Sequence, residues 1–336
     1  MMNTNKSIQE IASFLLIGAA LIQVMLGSLL AALYAGLLVY ALVHLIAPRL
    51  GQQANGQRSR LIAVTLLGIV IIGLLTIMIW LATEYFLSDA GSLANLFKKL
   101  ADLLDQARAQ IPPWMASFLP ESAEALQEAL THWLREHAVE AKNFGQQAGR
   151  LIVHLIIGMV IGGLAATHNT TRTEAYLPLA KALHQRVINL HRAFRQIVFA
   201  QVRIAAINTL FTGLFLAVAL PMAGVHLPFV KTLILITFLA GLLPVIGNLI
   251  SNTVIVIVSL SQSLVIAVIA LLFLITIHKL EYFLNAKIIG SQINARAWEL
   301  LSAMLIMESL FGLPGVVAAP VFYAYIKTEL VAAHLV

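Results

Sequence analysis

The chain contains no cysteine, which excludes disulfides and thiolate metal sites. It is also poor in charge: Asp, Glu, Lys and Arg together make up 11% of the residues, against about 25% in soluble domains. No Walker loop of the GxxxxGK[ST] type occurs, so ATP hydrolysis is not expected. No HExxH zinc motif occurs, and the ten histidines are scattered; His132 and His137, five apart, do not share a helical face. No aspartate falls in any long apolar run, which excludes the paired aspartates of one kind of intramembrane protease. Neither a catalytic centre, a metal site nor a cofactor is expected.

What is abundant is apolar. Hydrophobic residues reach 60%, above the about 45–50% of soluble proteins, so the bilayer is the solvent. A net charge of +6 would suggest nucleic acid in a soluble chain. Here the basic residues cluster between apolar runs, as the positive-inside rule requires, and nucleic-acid binding is not expected.

The charge-free stretch Thr232–His278 is 47 residues long and carries Pro244, Gly247, Asn248 and Asn252 in its interior. As one helix it would span about 70 Å, more than twice a hydrocarbon core of about 30 Å. It must cross at least twice, with a polar break at or near membrane depth. Lipid tolerates such a break only where protein or a water-filled cavity satisfies the freed backbone groups. The expected fold is therefore an all-α polytopic membrane protein. About eight transmembrane helices are expected, with broken or re-entrant segments in the C-terminal half.

The first run, Ile11–Pro48, suits two short spans joined near Gly27-Ser28. It is far longer than a signal-peptide core of about 7–15 residues, so a cleaved signal is not expected. Leu61–Thr83, Leu151–Thr171 and Ile204–Val230 supply spans three to five, Thr232–His278 two more, and Leu300–Ile326 the last. Arg49, Arg58 and Arg60 place one loop in the cytoplasm, and the arginine-rich segment Arg172–Arg203 another. Glu84–Arg150, with six basic and nine acidic residues, falls on the opposite face. The N-terminus is then cytoplasmic. The loop Lys279–Glu299, with Lys279, Lys287 and Arg296, fits that scheme only if Thr232–His278 contains a re-entrant turn. A break at Ser259–Ser263 would supply it, and a second turn at Gly312–Gly315 would keep the C-terminus inside.

Four regions follow: a three-span region over 1–83, an extracytoplasmic helical insertion over 84–150, a fourth span with a cytoplasmic amphipathic helix over 151–203, and a C-terminal transport core over 204–336. In the insertion, Leu93, Leu96, Phe97, Leu100, Leu103 and Leu104 make one helical stripe. A second helix is expected over Ser122–Lys142. In the cytoplasmic segment Leu179, Leu183, Val187, Leu190, Phe194 and Ile197 make another stripe flanked by arginines. It suits a helix on an anionic leaflet or one packed on neighbouring subunits.

Broken helices expose carbonyls and amides that hold ions or polar solutes, and Gly241–Asn248 is such a break or a plain hairpin. Gln201, Asn208 and Thr212, spaced seven and four apart, share one face of the fifth span. That face either bonds helix to helix or lines a hydrophilic path. Glu308 is the one acidic residue well inside an expected span. Intramembrane carboxylates are functional suspects, so proton or cation coupling or a pairing with Lys231 or Lys287 is open.

Three stretches carry a likeness to a known family. They are Leu242–Gly247, with Pro244; Leu280–Gly290, with Glu281, Asn285, Lys287 and Gly290; and Leu310–Pro320, with Phe311, Gly312, Gly315 and Pro320 in an F-G-x-x-G-x-x-x-x-P pattern. They resemble the autoinducer-2 exporter family, also called PerM-like permeases. The chain departs from it at Ala286, where that family usually has proline, and at Asn248, where proline is common after the glycine. Glu308 matches no position of the pattern. The resemblance implies a permease of the bacterial inner membrane that exports a small polar solute such as autoinducer-2. Sodium–proton antiport is the alternative, and a non-transporting scaffold a further one. It also implies a homo-oligomer, a pentamer, in contact with membrane lipids and with a small-molecule or ion substrate.

Overall fold

The computed structural model describes residues 2–50, 56–87, 138–168, 176–242, 246–260, 262–293 and 296–333, with a few isolated positions besides. Every regular element among them is a helix. These are α1 (Met2–Leu26), α2 (Leu30–Leu50), α3 (Gly56–Leu87), α4 (Ala138–Thr167), α5 (Pro178–Leu214), α6 (Val230–Gly241), α7 (Ile246–Leu260), α8 (Leu264–Ile293), α9 (Ala297–Phe311) and α10 (Leu313–Ala332). α5 continues through a π turn, Phe215–Ala219, into Leu220–Met222. Among the described residues, five segments are long and apolar enough to cross a membrane: Ile8–Leu26, Leu30–Arg49, Gly145–Thr167, Pro178–Met222 and Leu313–Ala332.

The expected turn near Gly27-Ser28 is present. Gly27 N–H donates to the Gln23 carbonyl at 2.9 Å and Ser28 takes a φ of 56°, ending α1 and starting α2. Two expectations about loops differ. The stripe over 179–197 is not a separate helix, because α5 runs from Pro178 straight into the fifth apolar run. Leu190, Phe194 and Ile197 from that stripe are buried, while Val187 is exposed. The segment read as a loop, Lys279–Glu299, is helical as far as Ile293, so Glu281, Asn285, Lys287 and Gly290 all lie on α8. With Ala286 in place of proline, nothing there removes an amide or clashes with the preceding turn. The insertion helix over 93–104 and most of the one over 122–142 lie outside the described residues; 138–142 open α4.

The chain divides into two compact units. The first comprises Met1–Ile71, Gly149–Ala200 and Asn285–Val336. In it α2 and α4 meet through small residues. A Cβ on Gly158 would overlap the Ala32 carbonyl, one on Gly162 would overlap the Gly36 carbonyl, and one on Gly36 would lie 2.9 Å from the Gly158 carbonyl. Backbone thus rests on backbone, the usual way helices associate where lipid removes any hydrophobic advantage. Val39, Val43, Ala63, Leu67 and Ala166 extend this seam to α3. Tyr34 of α2 stands edge-on to Phe194 of α5, centroids 5.2 Å apart, and its hydroxyl donates to the Val317 carbonyl of α10 at 3.3 Å.

In the same unit α9 and α10 form a hairpin. Gly312, at φ 62° and ψ −145°, occupies backbone space open only to glycine, and its N–H closes α9 on the Glu308 carbonyl at 2.7 Å. Pro314 sits in the first turn of α10, where its missing N–H costs nothing. Gly315 lets α10 press on the Met307 carbonyl, which a Cβ would overlap. The open end is pinned by Glu299, in the first turn of α9, which accepts from Lys327 Nζ at 2.8 Å and from the Tyr323 hydroxyl.

The second unit comprises Ile72–Ala148 and Gln201–Leu284. Its apolar core gathers Phe215, Leu216, Leu233, Ile255 and Leu274, with Phe215 and Phe273 stacked at 4.0 Å. α6 and α7 form a hairpin against the second half of α5, described below.

Candidate functional site

The charge-free run breaks near its glycines. α6 ends at Gly241 and α7 begins at Ile246, while Pro244 lies outside the described residues. Gly247 is buried in the first turn of α7, and a Cβ there would overlap the Ala240 carbonyl. Any other residue would force the two helices apart. Gly241 faces α5, where its Cβ would come within 3.2 Å of the Ala205 methyl.

The polar face of α5 meets this break. Gln201 Nε2 donates to the Gly241 carbonyl at 2.7 Å, so an amide side chain satisfies a carbonyl that the end of α6 would leave orphaned. Two turns on, Asn208 Nδ2 donates to Asn248 Oδ1 at 3.1 Å. Gln201, Asn208 and Asn248 are all buried. Ser251 Oγ donates to the Asn248 carbonyl at 3.4 Å, and Asn252, half-buried, lies on the next turn of α7. The seven-residue spacing of Gln201 and Asn208 therefore marks a face that is bonded to the broken helix, a bonding that Thr212 does not share.

The elements around this break carry more buried polarity than they use. The buried hydroxyl oxygens of Thr209 and Thr212 find no hydrogen-bond partner among the described residues, and neither does that of Ser259. Buried polar atoms are seldom left so, and such groups ordinarily hold water or a ligand. The π turn begins three residues after Thr212, and π turns within α-helices recur at functional sites.

The remaining expected site residues lie in the first unit. Glu308, on α9, is exposed and forms no ion pair among the described residues. Gly312 and Gly315 shape the α9–α10 turn, and Pro320 is buried inside α10.

A charged cluster went unnoticed in the sequence. Glu329 on α10 is 5% exposed, and Arg186 of α5 donates to its Oε2 while Asn189 Nδ2 donates to Oε1 at 3.2 Å. Gln185 Nε2 and Arg192 Nη1 both donate to Asn189 Oδ1, at 3.1 and 3.3 Å. Arg186 Nε reaches Ser13 Oγ of α1 at 3.4 Å, and its guanidinium lies 3.8 Å from the centre of the Phe14 ring. The signal for it in the sequence is the acid at 329, which follows the apolar run Val316–Ile326.

No curated protein and no solved structure shows significant similarity to the chain. The profile described as AI-2E family transporter, however, matches residues 11–333. With that match across nearly its whole length and its several membrane-length apolar helices, this chain belongs to the AI-2E family of transporters and is a multi-pass membrane permease.

Proposed function

We propose that this permease lies in the bacterial inner membrane and exports a small, polar, hydroxyl-rich solute, of the autoinducer-2 kind, past the polar face of α5. The observation that carries this reading is the buried pair Asn208–Asn248 beside unpartnered threonine hydroxyls at the broken α6–α7 hairpin. An amide pair can exchange its mutual bond for bonds to a passing hydroxyl without stranding a charge. The hydroxyls of Thr209 and Thr212 offer both donors and acceptors to the same solute. Pro244, Gly247 and Asn252 are assigned to this path as the residues that make and flank the break.

The topology we propose has six crossings and two hairpins that enter and leave on one side. α6 and α7, of 12 and 15 residues, rise only about 18 and 22 Å, each less than a core of about 30 Å. If α6–α7 dips in and returns, α8 crosses next and delivers Lys279 and Lys287 to the cytoplasm, as their charge demands. The α9–α10 hairpin then keeps the C-terminus with the N-terminus inside, and 84–150 stands outside as a cap. Region 204–336 is the transport core, and the working unit is a homo-oligomer, a pentamer.

The function is tested with proteoliposomes. Efflux of small polyols and furanones should fall at least about tenfold in Asn208→Leu and in Asn248→Leu, with oligomer and expression retained. Unchanged efflux in both variants would remove this face from the path. The topology is tested on the naturally cysteine-free chain. Single cysteines at Gly224 and Lys287 should react with an impermeant maleimide from outside and from inside, respectively. Labelling of both from one side would refute the arrangement.

A further inference from the structure

An apolar cleft of about 340 Å³ runs between α1, α9 and α10 in the first unit. Its α1 wall includes Phe14, Gly18, Leu21 and Met25, and its α10 wall runs from Phe322 to Leu330, with Glu329 near the latter end. From residue 14 to residue 25 the helix rises about 16 Å, so the volume corresponds to a bore of about 20 Å², the width of one hydrocarbon tail. Two of its walls, α1 and α10, belong to membrane-length apolar segments, and Ile22 and Ile326 on its rim are exposed. Only one end is polar. There Glu329 lies with both carboxylate oxygens already accepting, from Arg186 and Asn189, and the Arg186 guanidinium stacks on Phe14.

We propose that this cleft holds one acyl chain of an anionic phospholipid, with its headgroup at the Arg186 end. A cationic head would find no bare carboxylate, since Glu329 is already engaged. A guanidinium has five N–H donors, and among the described residues Arg186 spends two of them, on Ser13 and Glu329. The rest suit a phosphate, which guanidinium groups recognise in planar geometry. A lipid seated here would bridge α1, α9 and α10 beside the buried ion pair.

Gly18 supplies a clean test, because a Cβ built on it meets nothing within 4 Å while the residue lines the cleft. Gly18→Phe should fill the bore without displacing a neighbour. Gly68→Phe, also free of neighbours but on α3, is the control. Full-length protein, stripped in detergent and offered phosphatidylglycerol or phosphatidylcholine of equal tails, is examined by native mass spectrometry. Wild type and Gly68→Phe should retain one phosphatidylglycerol per chain in preference to phosphatidylcholine, and Gly18→Phe should lose that retention at least about tenfold. Three results would overturn the proposal. They are undiminished retention in Gly18→Phe, equal retention of the two lipids by wild type, or loss of oligomer in Gly18→Phe without loss of lipid. The last would assign the cleft to a second copy of the chain.

Discussion

The side-chain amide of Gln201 donates to the backbone carbonyl of Gly241 at 2.7 Å, across forty residues of sequence. One long helix thereby caps the broken end of another. The bond is buried, so removing the donor leaves an acceptor that water cannot readily reach. Gln201→Leu should cost about 1–3 kcal/mol of stability in detergent, whereas Gln201→Asn should cost less only if the chain shifts to restore the bond. Thermal unfolding of the two variants checks this.

Gly247→Ala places a methyl group into the Ala240 carbonyl. The hairpin must open by the width of that group, and overpacking of this order costs about 1–3 kcal/mol. Gly213→Ala, whose Cβ would sit 3.6 Å from Ile234, should be close to neutral in the same unit. A comparison of their melting curves decides the point, and efflux should fall in the first variant alone.

The Arg186–Glu329 pair should behave as a buried pair does. Arg186→Met or Glu329→Leu alone strands a buried charge and should destabilise by about 3–5 kcal/mol, while the double variant should recover most of the loss. A double-mutant cycle on denaturation in mixed micelles measures the coupling. Independent, additive losses would show that the two side chains do not lean on one another.

Glu299 precedes the last apolar run, and its carboxyl is held below the usual carboxylate range. Hydrogen bonds from Lys327, first, and from Tyr323 favour the ionised form. A lowered native pKa contributes stability above the ordinary value of 4.5, and that contribution disappears as pH falls through the lowered one. Wild type should therefore lose its advantage over Glu299→Gln on acidification below about pH 4.5, and the difference should be constant from pH 6 to 8. Melting temperatures of both proteins across this range provide the check.

Periodicity and breakers were legible from the residues alone. The face shared by Gln201, Asn208 and Thr212 follows from helical spacing, and the turns at Gly241–Gly247 and Gly312–Gly315 follow from glycine and proline within apolar runs. Which polar groups meet was not legible. Asn208 and Asn248 are forty positions apart, Arg186 and Glu329 a hundred and forty-three, and spacing along one helix says nothing of partners on another. Arginine beside an apolar stripe suggested a leaflet surface, because lone positive charge is usually solvated. The buried acid that neutralises Arg186 lies at the far end of the chain. The charges over 279–299 point to a loop because charge marks membrane exits, yet charge does not interrupt a helix whose other residues favour it.

The π turn at Phe215–Ala219 stores one residue more than regular helix needs. Such a turn absorbs the surplus locally, so the faces before and after it keep the azimuth they would have in a rod one residue shorter. Deleting a residue within it should relax the backbone to ordinary winding and leave both flanks aligned. The same deletion between Gln201 and Asn208 would swing every later side chain by about 100° and carry the asparagine off its partner. Along a single rod, the lineage is free to lose a residue at one place and barred from losing it a few steps upstream.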